Sequence, residues 1–196
     1  MRSKIRLLCG GAMLALLAAA TFTSPAGATS GGFTGQLRSA GFSAAQAAEL
    51  QSTIDHDPAA RGGKQLAANR VEAADGSAIT YTLPGEKYAH LLGDGLDGND
   101  ARTPFVLCSY GAFCGWPKAN YEGSGRTWAA CGKYFEIPDG WNSGGSWINN
   151  QTHHYTTSMY GKSHNHVFTT DPAYSSDSHG NWGPVWSKNG EITMRM

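Results

Sequence analysis

The chain has 196 residues, with 15 Lys and Arg against 15 Asp and Glu, four cysteines, 26 glycines and 21 aromatic side chains. Three of the basic residues, Arg2, Lys4 and Arg6, precede an apolar run, so a chain cut after that run carries 15 − 3 = 12 basic against 15 acidic residues, a net charge of −3. A weakly acidic protein without clustered Lys and Arg has no electrostatic footprint for nucleic acid, and scarce helix-forming runs after residue 60 point to β-structure and turns.

The apolar run from Ile5 to Ala20, followed by Ala26-Gly27-Ala28, reads as a secretory signal spanning residues 1–28 and cut before Thr29. The run is too short and Ala-rich for a membrane span, and nothing later approaches one. Cys9 follows Leu8 inside the run rather than a small residue at a late cut site, which argues against a lipid anchor. The expectation is a secreted, extracellular protein with no membrane partner.

Residues 29–103 read as a small α+β segment and a linker. One helix is expected from Ala44 to Asp55: Ser43 and Gln46 form a capping box, Phe42 can staple on Ala47, and Ala47, Leu50 and Ile54 share a face. Asp57-Pro58 ends it. Next, "KQLAANRVEAADGSAITYTLP" reads as a hairpin turning at Asp75-Gly76, with Ile79, Tyr81 and Leu83 alternating on one face. Such a unit has few large apolar side chains and is expected to pack on the rest or to be a pro-segment. "GDGLDGNDART", residues 93–103, reads as a linker, because the ligand spacing of an EF-hand is missing. Residues 104–196 then show short aromatic strands separated by Gly, Asn, Ser and Pro, the texture of a sandwich or barrel.

Three cysteines follow the signal: Cys108, Cys114 and Cys131. Export favours oxidation, so two should pair, and all three pairings are open. A hairpin of "FCGW" and "RTWAAC" bending near Tyr121 to Gly123 brings Cys131 beside the segment holding Cys108 and Cys114, so a bridge from Cys131 to either is geometrically reasonable. Within it, Trp116 and Tyr121 can stack across a folded-over turn while Gly123 takes a positive φ.

The order C-x5-C, aromatic-x4-aromatic-x-Gly, a third Cys and "SWINN", covering Cys108 to Asn150, resembles an exported actinomycete peptidase-inhibitor family. Its best-known member blocks thermolysin-like metalloproteinases with a βγ-crystallin-type domain. The resemblance implies a mainly β, βγ-crystallin-like Greek-key sandwich whose first hairpin is defined by Trp116, Tyr121 and Gly123 and pinned by Ser146. It implies inhibition of an extracellular protease by non-covalent occlusion of its cleft, without enzymatic activity or cofactor. The family's second disulfide, which holds the reactive loop, has no counterpart after Cys131, so no inhibitory residue carries over; "YGKSHNHVFTTDPAYSSDSHGNWG", residues 160–183, is the long polar segment available. The calcium pattern of crystallin-type loops is matched only at Asn142 and Ser146.

Other chemistry has thinner support. His164 and His166, on a strand, would share a face and with His154 or Asp171 could ligate zinc; the plainer reading is exposed loop histidines. Trp141, Trp147, Trp182 and Trp186, if coplanar and exposed, would form a glycan or cell-wall binding platform; the plainer reading is a core. Neither a G-x-S-x-G elbow nor an H-E-x-x-H helix is present.

Overall fold

The computed structural model describes residues 30–96, 98–99, 107–130, 132–185 and 191–195. The signal segment, Cys131, Trp186 and part of the 93–103 linker lie outside these residues.

Helix α2 (Ala44–His56) follows the expected cap: Gln46 N–H donates to Ser43 Oγ at 3.2 Å, and Ser43 N–H donates to Gln46 Oε1 at 2.9 Å. Ala47, Leu50 and Ile54 are buried on one face. A preceding helix, α1 (Ser30–Ser39), was not expected from "SGGFTGQLRS", which holds three glycines. It forms because Phe33 and Leu37, one turn apart, bury against the same core as α2, and such packing outweighs poor propensity.

Three short strands follow: β1 (Lys64–Ala67), β2 (Arg70–Glu72) and β3 (Ala78–Thr80). The β2–β3 hairpin turns at Asp75-Gly76 as expected, with Ile79, Tyr81 and Leu83 buried; β1 is an addition, paired to β2 through the Ala68-Asn69 turn. The β1–β2 turn is pinned by buried Asn69, which donates to the carbonyls of Tyr81 and His90 at 2.7 and 2.6 Å. Tyr81 donates its hydroxyl to Asp57 Oδ2 at 2.7 Å, and burial, reinforced by that carboxylate, pushes the phenol well above its ordinary range.

The remaining strands are β4 (Ala112–Trp116), β5 (Gly125–Trp128), β6 (Tyr134–Glu136), β7 (Ser146–Asn150), β8 (Thr156–Tyr160), β9 (His166–Thr169), β10 (Ser175–Asp177) and β11 (Glu191–Arg195). They make a mainly β, antiparallel fold. One sheet of seven strands runs β1-β2-β3-β5-β4-β7-β10, and one of four runs β6-β11-β8-β9. Strands β4 to β7 place the fourth beside the first and send the third, β6, to the other sheet. Strands β8 to β11 repeat this, sending β10 back to the first sheet.

The N-terminal segment does not stop at the linker. Strand β3 hydrogen-bonds to β5, with Ile79 opposite Arg126, so its three strands extend the large sheet. Arg126, 6 % exposed, donates from Nε to Ser77 Oγ and from Nη2 to Asp75 Oδ2, each at 2.8 Å. Burial works against the Asp75 charge, but its bonds to Ser77 and the Arg126 and Lys133 cations outweigh burial and hold the carboxyl below its ordinary value.

Alternation along the strands then fixes which layer covers which face. Phe113, Trp128 and Trp147 point to the four-stranded sheet and meet Phe135 and Met159, with Trp141, Trp182 and Val185 filling the same core. Val71 and Ile79, on the same face by register, meet α1 and α2 instead. The helices and the small sheet therefore lie side by side on one face of the large sheet. On the opposite face, Cys108, Ala112, Cys114, Trp116 and Ile148 form a third cluster.

Gly115 shows how tightly the sandwich core closes, since a Cβ there would lie 2.8 Å from the Trp182 ring and 3.1 Å from Trp141. Gly115→Ala is expected to lower unfolding stability by about 1–3 kcal/mol through overpacking. Gly35→Ala in α1, where no atom lies within 4 Å of the added methyl, should be neutral or slightly stabilising. Urea-unfolding midpoints of the two variants check the contrast.

Candidate functional site

The predicted fold-defining residues come together at the end of β4. Trp116 and Tyr121 meet edge to face, 5.5 Å between centroids at 83°. Between them the chain reverses through left-handed backbone at Asn120 (φ 56), Tyr121 (φ 64) and Gly123 (φ 91). Bending back so sharply leaves backbone groups without ladder partners, and Ser146 supplies them. Its fully buried hydroxyl accepts the Tyr121 N–H at 2.9 Å and donates to the Lys118 carbonyl at 2.7 Å. Of the three cysteine pairings left open, the structure makes Cys108–Cys114, with Cα atoms 5.8 Å apart. Asn150 donates to the Cys108 carbonyl at 2.7 Å, tying the bridge to β7.

The segment after Asn150 holds a device that the sequence reading missed. Asn149, completely buried in β7, donates from Nδ2 to the Tyr155 carbonyl at 2.9 Å and to the Asp171 carbonyl at 3.0 Å. Its Oδ1 accepts from Gln151 Nε2 at 2.9 Å, and the same Gln151 nitrogen donates to Thr157 Oγ1 at 2.8 Å. Two loops, 151–155 and 170–174, are thereby fastened to one strand residue. Their tips are exposed: His153 and His154 lie edge to face with centroids 3.9 Å apart, and Tyr174 stands 6.4 Å from His153. The available signal was compositional, since adjacent Asn residues are uncommon inside a strand and need polar partners when buried.

The metal candidates are not brought together. His164 precedes β9 in a turn with φ 56, whereas His166 lies on the strand with Nε2 2.7 Å from Thr169 Oγ1, so the shared strand face does not exist. Among the described residues no three His, Cys, Asp or Glu side chains are grouped to hold a metal ion. In the candidate calcium loop, the Ser146 hydroxyl is already engaged by the arch, and Gly145 packs so closely on Trp182 that a Cβ would overlap it. Trp141, Trp147 and Trp182 are core residues, 8 %, 7 % and 2 % exposed, so none offers a face to a sugar.

One further charged cluster straps residues 86–94 over the arch. His90 is buried, with Nε2 2.7 Å from Glu86 Oε2 and Nδ1 2.8 Å from Asp94 Oδ1. Nearby, Gly123 N–H donates to the Lys87 carbonyl at 2.8 Å, and Tyr88 bridges to Glu122 and Gly123. Desolvation opposes the His90 charge, but the bonds and charges of Asp94 and Glu86 outweigh it and raise the imidazole above its ordinary value. The four-residue spacing of Glu86, His90 and Asp94 resembles a helical pattern, yet the segment is a series of turns.

No family model, curated protein or solved structure matches the chain.

Removing the arch pin by Ser146→Ala leaves the Tyr121 N–H and the Lys118 carbonyl unsatisfied. A loss of about 1–3 kcal/mol is expected, read from denaturant unfolding. For His90, a raised folded-state pKa means that its stabilisation is fully present below the unfolded value of about 6.5 and is lost as pH rises through the higher folded value. Unfolding midpoints should therefore fall from about pH 6 toward alkaline pH by a component that His90→Gln abolishes. An unchanged pH profile in His90→Gln would contradict this assignment.

Proposed function

We propose that this chain is a secreted peptidase inhibitor, directed at metalloproteinases, on a βγ-crystallin-like scaffold. It acts by non-covalent occlusion of the protease cleft. The scaffold reading is supported by the Ser146-pinned arch of Trp116, Tyr121 and Gly123 and by the strand order. In each set of four strands the fourth lies beside the first, as in a Greek key, with the third exchanged between sheets.

The inhibitory reading rests on the Asn149 clamp. A loop that enters a protease cleft must be rigid, or it pays ordering entropy on binding and is cut rather than retained. Resemblance to the inhibitor family calls for a disulfide in this half of the domain, and no cysteine follows Cys131. The buried amides of Asn149 and Gln151 do equivalent work by fixing loops 151–155 and 170–174 from below. His153, His154 and Tyr174 at the tips supply aromatic contacts of the type that dominates small interfaces, and exposed imidazoles suit a partner with an open zinc position.

The test incubates the chain beginning at Thr29 with a thermolysin-type metalloprotease and, separately, with a trypsin-type serine protease, and follows residual activity. Stoichiometric loss of metalloprotease activity is expected. Tyr174→Ala should weaken it by about tenfold or more. Asn149→Ala should convert the loops into cleaved substrate, visible by mass spectrometry. Full activity of both proteases at molar excess sinks the inhibitor reading.

A further inference from the structure

The seam between the helical layer and the four-stranded sheet is an open cleft. Its volume is about 610 Å³, inside the range of roughly 300–1,000 Å³ typical of ligand clefts. One wall is β6 and its continuation through Asp139. The other comes from Asp57 to Arg61, after α2, and from Ala73 to Asp75, with buried Arg126 between them. Strand β6 is the terminal strand of its sheet: it pairs with β11 on one side and with no other strand among the described residues. The cleft thus occupies the place where a fifth strand would lie.

We propose that this seam is a peptide-binding groove, in which an extended segment of another protein bearing lysine or arginine adds along β6 as a further strand. Unpaired backbone donors and acceptors at a sheet edge are a template for an incoming strand, and alternate side chains give the selectivity. Charge decides the class of peptide. Asp75 is committed to Arg126 and Ser77, and Asp57 to the Tyr81 hydroxyl and the Ala59 N–H. Glu136 and Asp139, on the β6 wall, have neither hydrogen-bond nor ion-pair partners among the described residues. The unneutralised charge on the β6 wall is therefore negative, two carboxylates against the single unpaired cation of the facing wall, exposed Arg61, among the described residues.

Residues two apart on a strand share a face, so half-exposed Tyr134 stands beside Glu136. An incoming strand is matched there by an apolar or aromatic residue next to a cation. Arg126, with Nε and Nη2 engaged by Ser77 and Asp75, has Nη1 left for a peptide carbonyl. Pro138, lacking an N–H, limits the added pairing to a few residues, so a short segment suffices. The groove is independent of the inhibitory loops, and neither reading needs the other.

The experiment is fluorescence polarisation of the chain from Thr29 with a labelled, end-capped peptide Lys-Thr-Val-Thr-Lys-Thr-Val, in which lysine and valine alternate along one strand face. Saturable binding is expected, weakened by about tenfold or more in Glu136→Lys and, as an independent variant, in Asp139→Lys. A peptide with glutamate replacing lysine should bind far more weakly, and N-methylation of the valine amides should abolish binding by removing the strand hydrogen bonds. The proposal is overturned by no binding at about 1 mM, by equal binding of the glutamate peptide, or by insensitivity to both substitutions. It is also overturned if sedimentation shows that a second copy of the chain already covers β6.

Discussion

Every residue of β4 and β7 is buried, on both faces, and the rest of the structure follows from that constraint. Two adjacent central strands with no solvent side require a cover on each face of the sheet. One face is closed by the small sheet and its tryptophans; the other is closed by the disulfide segment, the Ser146-pinned arch and the strap around His90. A short β-domain rarely has enough chain to do this by strands alone. Here turns serve as cover, and turns bring backbone polar groups that must find partners.

Those partners are few and specific. Ser146, Asn149, Asn150 and Gln151 lie within or next to one strand, and all are buried. Their hydrogen bonds reach the arch, the Cys108 carbonyl and both loops beyond. Strand β7 is therefore a central tie as well as a core strand, with Trp147 and Ile148 packing the two opposite faces. Removing one of these polar groups costs more than its own bond, because the orphaned partner stays buried.

The side-by-side packing of helices and small sheet has a different consequence. A flat seam between two layers that rest on the same third layer cannot be filled by side chains from below when those side chains are held elsewhere. Arg126 is drawn toward Asp75 and Ser77, so the space beside β6 stays open. The same residue that welds the N-terminal hairpin to β5 thus leaves a groove along the edge of the neighbouring sheet.

Local signals were legible wherever sequence neighbours settle the matter. The capping box of α2, the Asp75-Gly76 turn, the alternation of Ile79, Tyr81 and Leu83, and the Trp116–Tyr121–Gly123 arch all depend on contacts within a few residues, or on one glycine's freedom at positive φ. Even Ser146 was placed through resemblance to a known arrangement. Helix α1 was not legible, because two buried side chains on a glycine-rich segment become a helix only against a partner. The Cys108–Cys114 choice, the union of β3 with β5 and the convergence of two loops on Asn149 were equally out of reach. The sequence by itself determined the punctuation and the β character of the chain, since propensity and periodicity act locally. Only the tertiary structure decided which faces meet, because pairings between residues tens of positions apart depend on register and burial that no local pattern encodes.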